Sequence, residues 1–148
     1  VALIADLRDD SSLWTQPLSP DPLVLLLPVS HTWSQREDIR LEALQDQPMI
    51  RREAGSRTQQ HFEEACRKKA VTIPWTLELG SREAVKEAVA TGMGLAAMSK
   101  AEVGHDPRLR EIAIVAPRLT TTESLCILRS RSQNRLLRTF VDADKTET

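Results

Sequence analysis

Aromatic residues are almost missing from this sequence. Its 148 residues include three tryptophans, two phenylalanines and no tyrosine. Proteins that bind single-stranded nucleic acids usually stack the bases on exposed aromatic rings. So few rings argue against that class of function.

An excess of charge is also missing. The 20 basic and 21 acidic residues leave a net charge of -1, whereas a nucleic-acid-binding surface usually makes a domain clearly positive. Four arginines close to the end of the chain are predicted to form a solvated face, and they are Arg129, Arg131, Arg135 and Arg138. We therefore expect no direct contact between this chain and DNA.

Long apolar runs and disulfide pairs are scarce too. No run approaches the roughly 20 residues of a membrane-spanning helix, and there is no secretory signal, so we expect no membrane partner. Val1 lies in an apolar segment without an initiator methionine, which suggests a piece of a longer protein. Cys66 and Cys126 are predicted to be buried free thiols, because nothing points to an oxidising compartment.

The motifs of common enzymes are absent. The sequence has no Gly-x-Ser-x-Gly elbow, no phosphate-binding lysine loop and no His-Glu-x-x-His helix. His31, His61 and His105 are isolated from one another and lack partners at the spacing of metal ligands. We expect no catalytic residue, no metal and no cofactor. An enzyme domain on a similar scaffold is the less favoured alternative.

The segment Trp75–Met98 is the most informative part of the chain. Alternating apolar residues predict a strand at its start, and Gly80-Ser81 predicts a turn followed by a helix N-cap. Gly92 suits a left-handed helix end, and Leu95–Met98 predicts a second strand. Together they predict one complete βαβ unit.

Two predicted helix N-termini carry the same chemistry. Gly55-Ser56-Arg57-Thr58 and Gly80-Ser81-Arg82 each combine backbone amides, a hydroxyl and a guanidinium group. A helix N-terminus favours an anion by ~0.3–1 kcal/mol at the surface, and an arginine adds charge-assisted hydrogen bonds. We predict that both ends face one cleft and bind a carboxylate, sulfate or phosphonate. The alternative is that the serines are ordinary caps and the arginines are solvated.

Strand and helix signals alternate along the rest of the chain, which predicts an α/β fold. Asp6–Pro20 is predicted to be an irregular polar connection, and Ser30–Asp38 a hinge or crossover. Ser56 and Gln59 have the spacing of a capping box. The other predicted elements are strands at 1–5, 23–27, 48–51, 112–115 and 125–128, short helices near 41–44 and from Ser56, and a last helix around 136–141.

The order of these motifs resembles the C-terminal effector-binding domain of LysR-type transcriptional regulators, a relative of the type 2 periplasmic binding proteins. The similar segments follow one another along nearly the whole chain: Val1–Ile4, Leu23–Pro28 with His31, Ile39–Ile50, Gly55–Thr58, Val89–Leu95 and the last helix with Phe140. Three sites depart from the family pattern. Thr32-Trp33 replaces Pro-Leu, Gln59 replaces an arginine, and Ser99 replaces a proline that usually ends its strand.

The resemblance implies a fold, a function and partners. The fold would be α/β and two-lobed, without the N-terminal part of the first lobe. Lobe I would include residues 1–28, lobe II residues 29–117, and residues 118–148 would return to lobe I. A small anionic metabolite, a carboxylate or phosphonate, would bind between the lobes of a cytoplasmic regulator. That regulator would be a homodimer or homotetramer and would contact DNA only through a domain absent from this chain.

The resemblance also adds one site residue and leaves two other interpretations. His31, beside the implied hinge, is a further candidate for ligand contact. A solute-binding protein of a transporter would share the fold but should carry a secretory signal. More narrowly, the segments Ser81–Val89 and Gly104–Leu109 resemble regulators associated with phosphonate utilisation.

Overall fold

A computed structural model of the protein describes residues 2–5 and 10–131. Within these ranges the strands are β1 (Ala2–Ala5), β2 (Leu13–Pro28), β3 (Asp38–Arg40), β4 (Met49–Arg52), β5 (Trp75–Leu79), β6 (Ala96–Ser99), β7 (Leu109–Val115) and β8 (Thr120–Leu128). The α-helices are α1 (Arg57–Lys68), α2 (Arg82–Ala90) and α3 (Lys100–Val103), with 3₁₀ helices at Leu41–Leu44 and Arg129–Arg131. The predicted α/β class is confirmed. The last predicted helix, around 136–141, lies outside the described residues.

The chain packs as two compact units. Unit 1 consists of Val1–Pro20 and Thr122–Thr148, and unit 2 of Asp21–Thr121. Strands β2 and β8 therefore each run from one unit into the other, and we call them the crossover strands. Packing units and moving lobes need not share their boundaries, so the lobe ranges 1–28, 29–117 and 118–148 stay a prediction.

Strand β2 is the centre of the sheet in unit 2. It pairs antiparallel with β6 on one side and with β7 on the other, so that Leu25 lies opposite both Ala97 and Ile112. Strand β3 continues the sheet beyond β7 in a parallel arrangement. The run Leu23–Leu27 is buried, with no residue more than 4% exposed. The predicted strand with two buried faces is confirmed.

Each face of β2 packs against a different set of helices. Leu23, Leu25 and Leu27 belong to the core that contains Phe62 of α1, because alternate side chains of a strand point to the same side. Val24 and Leu26 point the other way and belong to the core of α2 and α3. The helices thus cover both faces of this part of the sheet.

The predicted βαβ unit is confirmed, with one strand inserted in its sheet. Strands β5, α2 and β6 follow one another as expected, and Gly92 has φ of 79°, as its predicted helix-end role requires. Strand β4 lies between β5 and β6: it pairs in parallel with β5, and Met49 forms a parallel bridge to Leu95. All three strands therefore point in the same direction.

The predicted irregular connection over Asp6–Pro20 is wrong from Leu13 onward. Residues 13–20 are the first half of β2, and half-buried and exposed residues alternate there as in a strand with unequal faces. Pro17 and Pro20 both lie at exposed positions of the strand. Proline is tolerated in a strand where its missing N–H is not needed for the ladder.

The two cysteines are free and buried, as predicted. Cys66 lies in α1 within the core of unit 2, and burial raises the pKa of its thiol to about 11. A thiol with so high a pKa is almost entirely protonated at neutral pH, which makes it a poor nucleophile. Cys66 is therefore a packing residue.

The turn after β2 is built around His31. Its Nδ1 accepts a hydrogen bond from the Trp33 backbone N–H at 3.1 Å, and the two rings meet edge to face at 5.1 Å. Arg36 stacks its guanidinium 5.6 Å from the centre of the Trp33 ring. This turn joins β2 to β3 and lies wholly within unit 2. Residues 30–38 therefore do not connect the two packing units, and their role as a hinge between lobes stays a prediction.

Gly94→Ala should destabilise unit 2. A Cβ at Gly94 would lie 3.1 Å from the carbonyl oxygen of Pro48 and 3.2 Å from side-chain atoms of Ile50 and Thr76. We expect the free energy of unfolding to fall by ~1–3 kcal/mol, measured by denaturant titration. Gly80→Ala is the control, because nothing lies within 4 Å of its Cβ position. Similar losses for both variants would contradict this account.

The turn of His31 should weaken in mild acid. Burial lowers the pKa of His31 from its ordinary value of 6.5, so the unfolded chain takes up the proton at a higher pH than the folded chain does. This contribution to stability is present above about pH 6.5 and is lost as the pH falls through the interval between the two pKa values. His31→Asn keeps an acceptor for the Trp33 amide but cannot titrate.

Melting temperatures at about pH 7.5 and about pH 5.5 measure this effect. His31→Asn should lose less stability over that interval than the wild type, and His105→Asn, at an exposed position, should behave like the wild type. A pH dependence of His31→Asn equal to that of the wild type would refute the role given to His31.

Candidate functional site

The two predicted helix N-termini open at one edge of the sheet. Strands β4 and β5 are parallel neighbours whose register shifts between Met49 and Ile50, and Arg52 lies opposite Leu79 at their ends. Helix α1 starts shortly after β4, helix α2 shortly after β5, and helix α3 directly after β6. Because these strands point in the same direction, all three helices begin at the same side. We call this side the carboxyl edge, defined by the N-cap residues Ser56, Ser81 and Ser99.

The two predicted caps are formed. The Ser56 hydroxyl accepts a hydrogen bond from the Gln59 N–H at 3.3 Å, and the Ser81 hydroxyl accepts from the Ala84 N–H at 3.1 Å. The reciprocal half of the capping box is wrong, since Gln59 uses its side-chain oxygen to accept from the Arg52 N–H at 3.2 Å. Gln59 is buried and so ties the end of β4 to the first turn of α1.

A cluster of charges joins the two helix ends. Arg52 and Glu53, which follow one another at the end of β4, form two hydrogen bonds of 2.8 and 2.7 Å. These bonds raise the pKa of Arg52, and the charges of Glu102 and Glu83 add to the shift. The pKa of Glu53 is lowered mainly by Arg52, with a smaller contribution from the charge of Arg82. Groups from both helix ends therefore act on one another electrostatically.

Arg82 is already paired. Its Nη2 lies 2.5 Å from Oε1 of Glu102 on α3, and the Glu102 side chain is only 19% exposed while that of Arg82 is 51% exposed. The sequence prediction treated Arg82 as available to a ligand. An anion that binds Arg82 must compete with the Glu102 carboxylate. This cluster holds three carboxylates and two guanidinium groups, so it does not attract an anion by net charge. Its members are Glu53, Glu83, Glu102, Arg52 and Arg82.

The sequence does contain a signal for the helix start that includes Glu102. Ser99 and Glu102 have the Ser-x-x-Glu spacing that marks a helix start. In the structure neither side chain closes that box: Ser99 makes no cap hydrogen bond within α3, and Glu102 reaches Arg82 instead. The pattern predicts the helix but not the partners of its two polar residues.

Ser99 is bound to Asp21, the first residue of unit 2. The Ser99 hydroxyl donates a hydrogen bond to the Asp21 carboxylate, which also accepts from the Ala101 N–H at 3.2 Å. The Asp21 carboxylate therefore caps α3 in place of the Ser99 side chain. The hydroxyl of Thr121 donates to the Asp21 carbonyl oxygen at 3.4 Å. None of these contacts was predicted, because their members are far apart in sequence.

The remaining predicted site residues divide into two groups. Arg57 is exposed and Thr58 half-buried, both in the first turn of α1 at the carboxyl edge. His31 lies beyond the other end of β2, past Pro28, whereas Asp21 of the same strand is at the carboxyl edge. The strand between Asp21 and Pro28 spans about 23 Å at ~3.3 Å per residue. The structure therefore does not bring His31 together with Ser56 and Ser81, and its contact with a ligand stays a prediction.

An open groove of about 440 Å³ is lined by residues of β2, β3 and β7 together with Lys100 and Arg118. It is lined by Pro22, Glu37, Asp38, Lys100, Arg118 and residues 111–115 among others. Lys100 spans part of it by pairing with Glu111 at 3.3 Å. No predicted site residue lines this groove.

Among residues 2–5 and 10–131, no three side chains of His, Cys, Asp or Glu are grouped so that they could hold a metal ion. In the same part of the chain, no helix is both long enough and apolar enough to span a membrane.

Similarity to known proteins covers nearly the whole chain. Residues 1–147 match the family described as "LysR substrate binding domain". The RuBisCO operon transcriptional regulator of Acidithiobacillus ferrooxidans is 32% identical over 100 residues, which is 68% of this chain and 32% of that protein. The HTH-type transcriptional regulator CysL of Bacillus subtilis is 28% identical over 115 residues, 78% of this chain and 38% of that protein. The chain thus spans about a third of the length of these relatives.

Solved structures with the same fold include the Synechocystis PCC6803 CcmR regulatory domain in complex with 2-PG. The TM-score is 0.84 at 27% identity, over 96% of this chain and 70% of that one. The reduced form of the OxyR regulatory domain from Pseudomonas aeruginosa has a TM-score of 0.82 at 23% identity, over 97% of this chain and 71% of that one. That likeness concerns the fold alone.

One prediction gains no support from these relatives. Neither the description of the matched family nor the names of the relatives above mention phosphonate utilisation, so the narrower resemblance to such regulators is not supported. The two-lobed α/β fold expected from the wider resemblance is confirmed. The match over residues 1–147, together with the strand order and the helix ends described above, means that this chain belongs to the LysR substrate-binding domain family.

Proposed function

We propose that this chain is the effector-binding part of a LysR-type transcriptional regulator and that it binds a small anionic metabolite at the carboxyl edge. The observation that carries the proposal is the common edge at which α1 and α2 begin, directly beyond the paired ends of β4 and β5. The first amides of a helix have no acceptor within the helix. Two such ends side by side offer an anion several backbone donors at once.

The ligand class is supported by the chemistry of the edge and by one relative. Ser56, Thr58 and Ser81 add hydroxyls to the backbone amides, and Arg57 and Arg82 add guanidinium groups. The CcmR regulatory domain was solved with 2-PG, 2-phosphoglycolate, which carries a carboxylate and a phosphate. We transfer to this chain only the class of ligand: a small molecule with a carboxylate or a phosphorus oxyanion.

The Glu102–Arg82 pair defines how such a ligand would bind. Arg82 is half exposed, so its ion pair with Glu102 is worth at most ~1 kcal/mol. An anion that also accepts backbone N–H bonds at the α2 N-terminus gains more than this pair loses. Arg52 is held more firmly, because it is 17% exposed and doubly bonded to Glu53. We therefore assign ligand binding to Arg82 rather than Arg52.

The rest of the proposal concerns the longer protein. We propose that it is cytoplasmic, that it forms a homodimer or homotetramer, and that it contacts DNA through a domain outside this chain. The relatives are transcriptional regulators, which favours regulation over transport or catalysis. The ligand must bind one conformation more tightly than another, since only differential affinity shifts an equilibrium.

Arg82→Ala should abolish stabilisation by anions without lowering the melting temperature of the free protein much. A ligand at 100 times its Kd stabilises the folded state by ~2.7 kcal/mol, so 2-phosphoglycolate or sulfate should raise the melting temperature of the wild type by several degrees. Arg67→Ala is the control, because Arg67 is also an exposed, ion-paired arginine but lies in the last turn of α1. Equal stabilisation of the wild type and Arg82→Ala would reject the site.

Two substitutions of Ser81 should separate its capping role from ligand binding. Asn and Asp both cap helices about as well as Ser, so Ser81→Asn and Ser81→Asp should keep the melting temperature of the free protein. Ser81→Asp places a carboxylate at the proposed anion site and should abolish stabilisation by 2-phosphoglycolate, whereas neutral Ser81→Asn should retain most of it. If Ser81→Asp responds to the anion as Ser81→Asn does, Ser81 is only a cap.

A further inference from the structure

Helix α3 contacts two functionally different parts of unit 2. On one side Glu102 holds Arg82, the residue to which ligand binding is assigned. On the other side the N-terminus of α3 is bound by Asp21, through the Ala101 N–H and the Ser99 hydroxyl. A single short element therefore links the proposed ligand site to the first residue of unit 2.

The Asp21 contacts hold the place where both crossover strands leave unit 2. Asp21 and Thr121 are its first and last residues, and the Thr121 hydroxyl donates to the Asp21 carbonyl oxygen. Leu23 and Leu119 add a backbone hydrogen bond of 2.9 Å beside them. Ser99 and Thr121 are only 6% and 3% exposed, respectively. Buried hydroxyls are costly unless they are bonded, so these contacts constrain the local geometry strongly.

We propose that α3 couples the carboxyl edge to the crossover strands, with Glu102 as its contact at the ligand site and Asp21 as its contact at the strands. That an anion binds Arg82 rests on the proposed function. The coupling between Glu102 and Asp21 through α3 does not depend on that proposal. An anion on Arg82 competes with Glu102 for the guanidinium group and so weakens the ion pair that positions the Glu102 side chain.

The structure of α3 allows it to respond. It is a single turn of four residues, and so short a helix has almost no stability of its own. A change in the position of Glu102 therefore shifts the Ala101 N–H of the same turn with little resistance from the helix. The Ala101 N–H is bonded to Asp21, and the disturbance reaches β2 there and β8 through Thr121.

Hydrogen–deuterium exchange of the full-length protein tests the coupling without a ligand. Glu102→Gln keeps the size of the side chain but removes the charge that holds Arg82. Backbone amides of residues 13–20 and 120–128 should then exchange roughly threefold faster or more. In a protein that already carries Asp21→Asn, Glu102→Gln should increase the exchange rates of these amides only slightly further. Asp38→Asn, an exposed aspartate of β3, is the matched control and should leave the effect of Glu102→Gln intact.

The outcomes distinguish this proposal from the ligand proposal. An equal effect of Glu102→Gln in the Asp21→Asn and Asp38→Asn backgrounds, or no effect on these amides, overturns the coupling. If Asp21→Asn does not fold, Ser99→Ala removes one contact of the same carboxylate and takes its place. If the effect of Glu102→Gln on exchange requires Asp21 but 2-phosphoglycolate does not stabilise the protein, the coupling holds and the anion site is rejected. If the anion stabilises the protein but Glu102→Gln leaves the exchange of these amides unchanged, the anion site holds and the coupling is rejected.

Discussion

The fold of unit 2 depends on the burial of Leu23–Leu27 on both faces of β2. A strand without access to water must have all its backbone groups paired, and β6 and β7 provide that pairing on its two sides. Helices must then cover both faces. Once β6 is fixed beside β2, the bridge from Leu95 to Met49 fixes β4 and then β5. The carboxyl edge, with its three helix starts, is a consequence of this arrangement.

The local elements were predictable because their causes are local. The alternation in β5, the N-caps Ser56 and Ser81, and the left-handed Gly92 each depend on a few neighbouring residues, and each is confirmed. The family resemblance was equally readable, since its motifs keep their order along the chain. Even the common edge of the two helix ends follows from the parallel strands that precede them.

The failures have a common cause in contacts between distant parts of the sequence. Nothing near Arg82 reveals that Glu102 will neutralise it, and nothing near Asp21 reveals that it will cap α3. Residues 13–20 form a strand because of where β2 runs, although their prolines favour a loop. His31 matched a family motif, but only the direction of β2 decides at which edge the motif lies. Local chemistry thus identified candidate groups, and tertiary pairing decided which of them are available.

The burial of both cysteines has a practical consequence for measuring conformational change in this chain. The sequence contains no other cysteine, both sulfurs are shielded, and the thiol of Cys66 has a pKa of about 11. At neutral pH roughly one Cys66 in ten thousand is a thiolate. A cysteine introduced at an exposed position would therefore react first with a maleimide or a spin label. Pairs of such labels would allow distances to be followed spectroscopically without first removing the native thiols.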